Sequence, residues 1–259
     1  MDFELVVIAI APIVFLAWFM YSRDRYDREP RRLILKTFLV GAALIIPVVV
    51  LELVGTVILP PSDDPLALFL HFLLVVALLE ESSKYAAVRI SVYRSPEFNE
   101  PMDGLVYGAI AALGFAAPEN LLYVLSRGAA LGIVRAVLSV PGHALWGAII
   151  GYYLALQKLT LSRGAGIRGL SIALMLHTLF DFGLVALDSL AGIMVASLVV
   201  IVGWLIFFRF RRAALALSPF RPVQQRFLPP PPPTKYCVYC GTLIFADDEF
   251  CRSCGSRQP

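Results

Sequence analysis

The chemically capable residues of this chain are ionisable side chains set inside apolar runs. Glu80, Glu81 and Lys84 lie in VALLEESSKY, Glu119 and Asn120 in GFAAPEN, His143 in PGHALWG, and His177 and Asp181 in LMLHTLFDFG. Each such group costs roughly 3 kcal/mol at mid-bilayer on insertion scales, so it must face a cavity or a partner. Spacing of four places Glu80 with Lys84, Phe115 with Glu119, and His177 with Asp181 on shared helix faces, while Glu81 points about 100° away from Glu80. Two hydrolytic chemistries fit. Imidazole and carboxylate can hold a catalytic zinc with an open position for water, with His143 and His177 as candidate ligands. Alternatively, a glutamate acts as general base on water while histidine or asparagine stabilises the oxyanion. The same residue types also build the proton relays of transporters.

The elements that must position them are membrane helices. Of 259 residues, 59% are hydrophobic and 16% charged, with mean hydropathy +0.77. A soluble domain carries more charge and less apolar area. The net charge of +3 is too small to argue for nucleic acid. Seven spans are predicted, at roughly 4–21, 33–59, 66–90, 102–125, 134–157, 169–187 and 190–208. Backbone groups in lipid must pair internally, so the spans are helices and the fold is an all-α polytopic membrane protein. The run Leu5–Met20 is read as an uncleaved first span, because no positive segment precedes it and arginines follow it. Basic residues cluster in alternate loops, which places the N-terminus outside and the C-terminus in the cytoplasm of a cell-membrane protein. The 126–135 connection is the exception, an outside loop holding Arg127 and Arg135. At ~1.5 Å per residue, Glu80, His177 and Asp181 fall at similar depths, whereas Glu119 falls nearer the outer face unless Pro118 shifts its register.

Three regions are expected: a membrane domain over 1–212, a proline-rich linker over 213–235 containing Pro229–Pro233, and a module over 236–259. That module holds all four cysteines, Cys237, Cys240, Cys251 and Cys254, in two C-x2-C knuckles ten residues apart. The pattern predicts a small β-type ribbon with one structural zinc on four thiolates. Gly241 and Gly255 follow the knuckles, where the chain turns tightly and backbone N–H groups are expected to face sulfur. Two disulfides are the competing reading, disfavoured in a reducing cytoplasm. The few bases of the module favour a cytoplasmic protein partner over nucleic acid.

In order and spacing these motifs resemble the PrsW family of intramembrane proteases, related to the CAAX prenyl endopeptidases and bacteriocin-immunity-type membrane proteins. The resemblance rests on EESSK at Glu80–Lys84, on the block Phe98–Asn120 ending F-x-x-x-E-N, on His143, and on H-x-x-x-D at His177 and Asp181. It implies endoproteolysis of a membrane-anchored protein, such as an anti-sigma-factor-like regulator, by a metallo- or glutamate-type mechanism. It also implies that Glu80 and Glu81 are the catalytic pair, with Glu119, His143, His177 and Asp181 completing the site and Lys84 and Asn120 supporting it. The cysteine module departs from the family core.

The competing functions are a proton-coupled transporter, and an inactive membrane scaffold or sensor whose ribbon recruits a partner. His71 is read as structural, and Glu52 as an interfacial or partnered carboxylate. Asp103 and Tyr107 are expected at the cytoplasmic mouth of the cavity, and Gly104, Gly108 and Gly114 as sites of close helix approach.

Overall fold

A computed structural model describes residues 3–187, 189–221, 234–246 and 248–259. The Pro229–Pro233 run and Asp188 lie outside the described residues. The chain divides into two compact units at residues 221 and 222. Nine α-helices are described: α1 Phe3–Ser22, α2 Arg31–Ile58, α3 Pro65–His71, α4 Leu78–Ser91, α5 Pro101–Arg127, α6 Ala129–Val137, α7 Ser139–Thr160, α8 Ala165–Ala186 and α9 Ser189–Leu217. A π-helical segment, Phe72–Ala77, joins α3 to α4 without a break, and α6 leads into α7. Seven stretches are therefore long and apolar enough to cross a membrane, as the hydropathy predicts.

Helix α5 is the axis of the bundle. Of its most apolar window 78% is buried, against 17% for α2. It packs against α7, α2 and α1. Small residues set that packing, as expected where lipid supplies no hydrophobic drive between helices. A Cβ on Gly104 would stand 2.3 Å from the carbonyl oxygen of Gly151, and one on Gly108 would stand 2.1 Å from that of Gly147. On the opposite flank, a Cβ on Gly114 would meet the carbonyl oxygen of Phe38 at 2.1 Å. Large apolar side chains such as Trp18, Ile46, Val57 and Leu198 are exposed, as lipid contact requires.

Two connections differ from the sequence expectation. The 126–135 segment is not a loop. Gly128, at φ 85°, ends α5, and α6 begins at once. The π-helical segment is the second difference. Residues nine apart on an ideal α-helix lie about 180° apart, on opposite faces. An i→i+5 turn under-winds the helix between His71 and Glu80 and brings both to one cavity. His71 is thus anchored through Nδ1 to the Leu59 carbonyl at 2.7 Å and still lines the interior.

The second unit is built on a two-stranded antiparallel sheet, β1 Thr234–Tyr236 and β2 Leu243–Phe245, with Lys235 opposite Ile244.

Gly151→Val should collapse the α5–α7 contact, because its Cβ would sit 1.9 Å from a backbone oxygen. The expected result is a loss of about 3 kcal/mol or failure to yield monodisperse protein in detergent. Gly128→Ala meets nothing within 4 Å and should cost only about 1 kcal/mol, from its positive φ.

Candidate active site and metal centres

Lys84 is the centre of the intramembrane site. Its side chain is fully buried. An ammonium has three N–H donors, and three acceptors surround this one: Glu81 Oε1 at 2.6 Å, His143 Nδ1 at 2.8 Å and Glu80 Oε2 at 3.2 Å. The phenyl ring of Phe115 and the indole of Trp146 stand 5.2 and 5.9 Å from the same nitrogen and exclude water from it. One buried cation thus ties α4 to α7.

This network assigns the histidine tautomers. His143 Nδ1 accepts from Lys84, so in the neutral ring the hydrogen sits on Nε2, 3.2 Å from Glu119 Oε2. His177 Nδ1 lies 2.7 Å from Glu81 Oε1, a carboxylate that can only accept, so Nδ1 donates. Nε2 of His177 then faces Asp181 Oδ2 at 3.1 Å and Glu80 Oε2 at 4.0 Å. Trp146 stacks on the His177 ring at 4.6 Å, fixing its plane.

A cavity of about 380 Å³ opens in front of these groups, lined by Glu80, Glu119, His143, His177 and Asp181, together with His71, Tyr123, Arg135 and Trp146. Five of the sequence-predicted residues are therefore brought together. Glu81 and Lys84 do not line the cavity but stand behind it. Asn120 faces away, donating to the Ala9 carbonyl at 2.8 Å and accepting from Arg135 Nε at 2.8 Å. Helix α5 continues through Pro118, and Glu119 joins His143 despite the depth count that set it apart. Asp103 and Tyr107 do not border this cavity, contrary to expectation. They belong to a separate buried group with Asp24, Glu29 and Glu100. Glu52 Oε1 is buried without a hydrogen-bond partner.

Sequence reasoning missed Arg135. Its guanidinium pairs with Glu119 at 2.7 Å and holds Asn120 as well. The available signal was its violation of the charge rule in a connection expected outside: the arginine is withdrawn from solvent to hold a carboxylate.

Two sets of groups here could hold a metal. Glu80, Glu119 and His143 bring ligand atoms within 4.8 Å of one another, as do Glu80, Glu81 and His177. Glu119 Oε2, buried and 3.2 Å from His143 Nε2, faces the first of these sets. Oxygen and imidazole donors suit zinc and its neighbours.

The four cysteines also cluster within 4.8 Å, all as free thiols. Cys237 and Cys254 sulfurs lie 3.7 Å apart, and those of Cys240 and Cys251 3.6 Å. A tetrahedron with ~2.3 Å metal–sulfur bonds needs edges of about 3.8 Å, so the set fits a metal. Gly241 and Gly255 turn with φ of 71° and 73°, as predicted. Their N–H groups, however, donate to the carbonyls of Cys237 and Cys251 at 2.9 and 2.8 Å, not to sulfur. The amides facing the Cys237 sulfur are those of Tyr239 and Cys240, and those facing Cys251 are Ser253 and Cys254.

Seven apolar helices around a cavity lined by carboxylates and imidazoles are the parts an intramembrane hydrolase needs. A family model described as PrsW family intramembrane metalloprotease matches residues 29–208. The chain is 35% identical to Protease PrsW of Bacillus subtilis (strain 168) over 220 residues, covering 83% of this chain and 97% of that protein. It is 36% identical to Protease PrsW of Geobacillus kaustophilus over 190 residues, 71% and 81% of the two chains. With Protease PrsW of Clostridioides difficile the identity is 33% over 190 residues, 70% and 79%. No solved structure matches significantly. The chain belongs to the PrsW family, and it is a multi-pass intramembrane protease.

Arg135→Met should leave Glu119 unpaired in a site with little solvent. The expected cost is about 3 kcal/mol in a thermal melt and about 10²-fold in cleavage rate. Arg127→Met, at an exposed helix end, should change neither measurement.

Proposed function

We propose that the cavity hydrolyses a peptide bond in the membrane-anchored part of a protein substrate, with Glu80 as the base that takes a proton from water. The observation that carries this reading is that Glu80, His143 and His177, from three different helices, meet at one cavity with Lys84 behind them. Glu80 is the member of the glutamate pair that reaches the cavity. Lys84 donates to one of its oxygens at 3.2 Å and leaves the other for the proton of a water. His143, with hydrogen on Nε2, offers a donor to the oxygen that gains charge as the carbonyl is attacked. Glu81 acts as a positioning residue: it sets the His177 tautomer and shares Lys84 with Glu80. Glu119, held by Arg135, orients the His143 ring.

A metal at this site would be held by His177 Nε2 and Asp181, with Glu80 in reach. His177 alone has its other nitrogen on a carboxylate, the partner that metal-bound histidines use. Such an ion would polarise the scissile carbonyl and acidify bound water. His143 is the poorer ligand, because a metal on Nε2 would require hydrogen on Nδ1 and Lys84 would have to leave it. In the cysteine module the bound ion is zinc, on sulfur distances and a donor set that suit it, and its role is structural. The charge pattern of the loops supports an external N-terminus and a cytoplasmic ribbon able to bind a protein. A membrane-anchored, anti-sigma-factor-like regulator is the substrate class we propose.

The test is cleavage of a single-span model substrate in liposomes, with new termini read by mass spectrometry. Glu80→Gln should lower cleavage by about 10³-fold without loss of helical content. Cleavage by this variant at the wild-type rate contradicts the proposal. A transporter would instead show ion flux and no new termini. Metal counting gives a second expectation. Truncation after residue 221 should remove one zinc per chain, and any ion that remains should leave on His177→Ala rather than on His143→Ala.

A further inference from the structure

A second buried polar cluster lies apart from the protease cavity, at the end of the bundle where the α1–α2 connection meets the start of α5. Asp24 and Glu29 come from the connection, Glu100 is the N-cap of α5, and Asp103 lies one turn into it. Their exposures are 1%, 4%, 0% and 1%, so four acidic side chains share a site closed to water. Among the described residues no lysine or arginine forms an ion pair with any of them. Lys158, which feels the charge of Asp103, has its ammonium engaged by the carbonyls of Ser95 and Phe98, both at 2.8 Å.

Part of the cluster is satisfied internally. Asp103 Oδ2 accepts the N–H groups of Asn99 at 2.6 Å and Glu100 at 2.8 Å, and Tyr107 donates its hydroxyl to Glu29 at 2.5 Å. The rest is not. Asp24 Oδ2 is buried without a hydrogen-bond partner, and the Glu100 carboxylate, which caps the Asp103 N–H at the start of α5 beside the Ser218 hydroxyl, has no basic partner. Unpartnered buried carboxylates are costly unless a proton or a bound cation compensates them.

The ligand atoms of Asp24, Glu100 and Asp103 lie within 4.8 Å of one another. That separation suits oxygens on opposite sides of one ion with metal–oxygen bonds of about 2.3–2.6 Å. The donor set is oxygen only, without imidazole or thiolate, which selects a hard cation and separates this site from both other metal candidates. We propose that Asp24, Glu100 and Asp103 bind one hard divalent cation, Ca²⁺ or Mg²⁺. The ion clamps the α1–α2 connection to the start of α5, the helix that carries Glu119 at its other end. Glu29, held by Tyr107, closes the site from the side. The clamp is independent of the peptidase reading and stands or falls separately from it.

The experiment uses the full chain in detergent, exchanged into buffer without divalent cations and titrated with CaCl₂ or with MgCl₂. Binding is read by calorimetry, and unfolding by tryptophan fluorescence, which reports the membrane unit because all three tryptophans, Trp18, Trp146 and Trp204, lie in it. The expected result is about one ion per chain and a rise in Tm of several degrees. The larger response to Ca²⁺ or to Mg²⁺ identifies the ion. Glu100→Gln and Asp24→Asn should abolish both signals, and Glu80→Gln should keep them. Without cation, Glu100→Gln should melt above the wild type, since it removes an unpartnered charge; with saturating cation it should melt below. No binding of either ion to the wild type, with Glu100→Gln the more stable protein in every buffer, overturns the proposal and leaves a cluster of protonated acids. Binding that survives both substitutions overturns it equally.

Discussion

A single buried ammonium organises the intramembrane site. In lipid, a lysine with no solvent must find as many acceptors as it has protons, and Lys84 finds three on two helices. The converse constraint acts on the acceptors. Glu80 and Glu81 are adjacent in sequence, and as two bare carboxylates they would repel at low dielectric. The shared cation lets both lie on the inner side of α4. From that point the remaining assignments follow. Lys84 takes His143 Nδ1, which leaves Nε2–H for the cavity. Glu81 takes His177 Nδ1, which leaves Nε2 for Asp181, Glu80 or a metal.

The scaffold around this network answers to a different constraint. Apolar side chains gain little by leaving lipid for one another, so helices associate where their backbones can come close. Glycine faces glycine between α5 and α7, at the pairs 104/151 and 108/147. That contact sets the relative height of the helices bearing Glu119 and His143. The polar network then locks what the glycines permit. A bundle held by packing alone would tolerate small slips; a fully buried triad of hydrogen bonds would not.

The seven spans and the shared depth of Glu80, His177 and Asp181 were legible because residue type and hydropathy carry that information directly. Three features were not. The π-helical segment leaves no mark in composition, so nothing in the sequence brought His71, read there as structural, into the cavity with Glu80. Arg135 carried a visible anomaly in charge placement, but its partner could be found only once α6 folded back on α5. Asp24, Glu29 and Glu100 sit in short connections that sequence reasoning treats as solvated, and only the packing of the α1–α2 connection onto α5 buries them. Legibility fails where a residue's environment is decided by tertiary closure and not by its own segment.

The most direct test of this account is the rate of substrate cleavage by Lys84→Met in liposomes, beside the circular dichroism of the same preparation. The account predicts a helical, membrane-inserted protein whose cleavage falls by about 10³-fold or more, because both glutamates and both histidines lose their common anchor. Helical protein that cleaves at the wild-type rate would show that Lys84 does not organise the site, and would contradict the central claim.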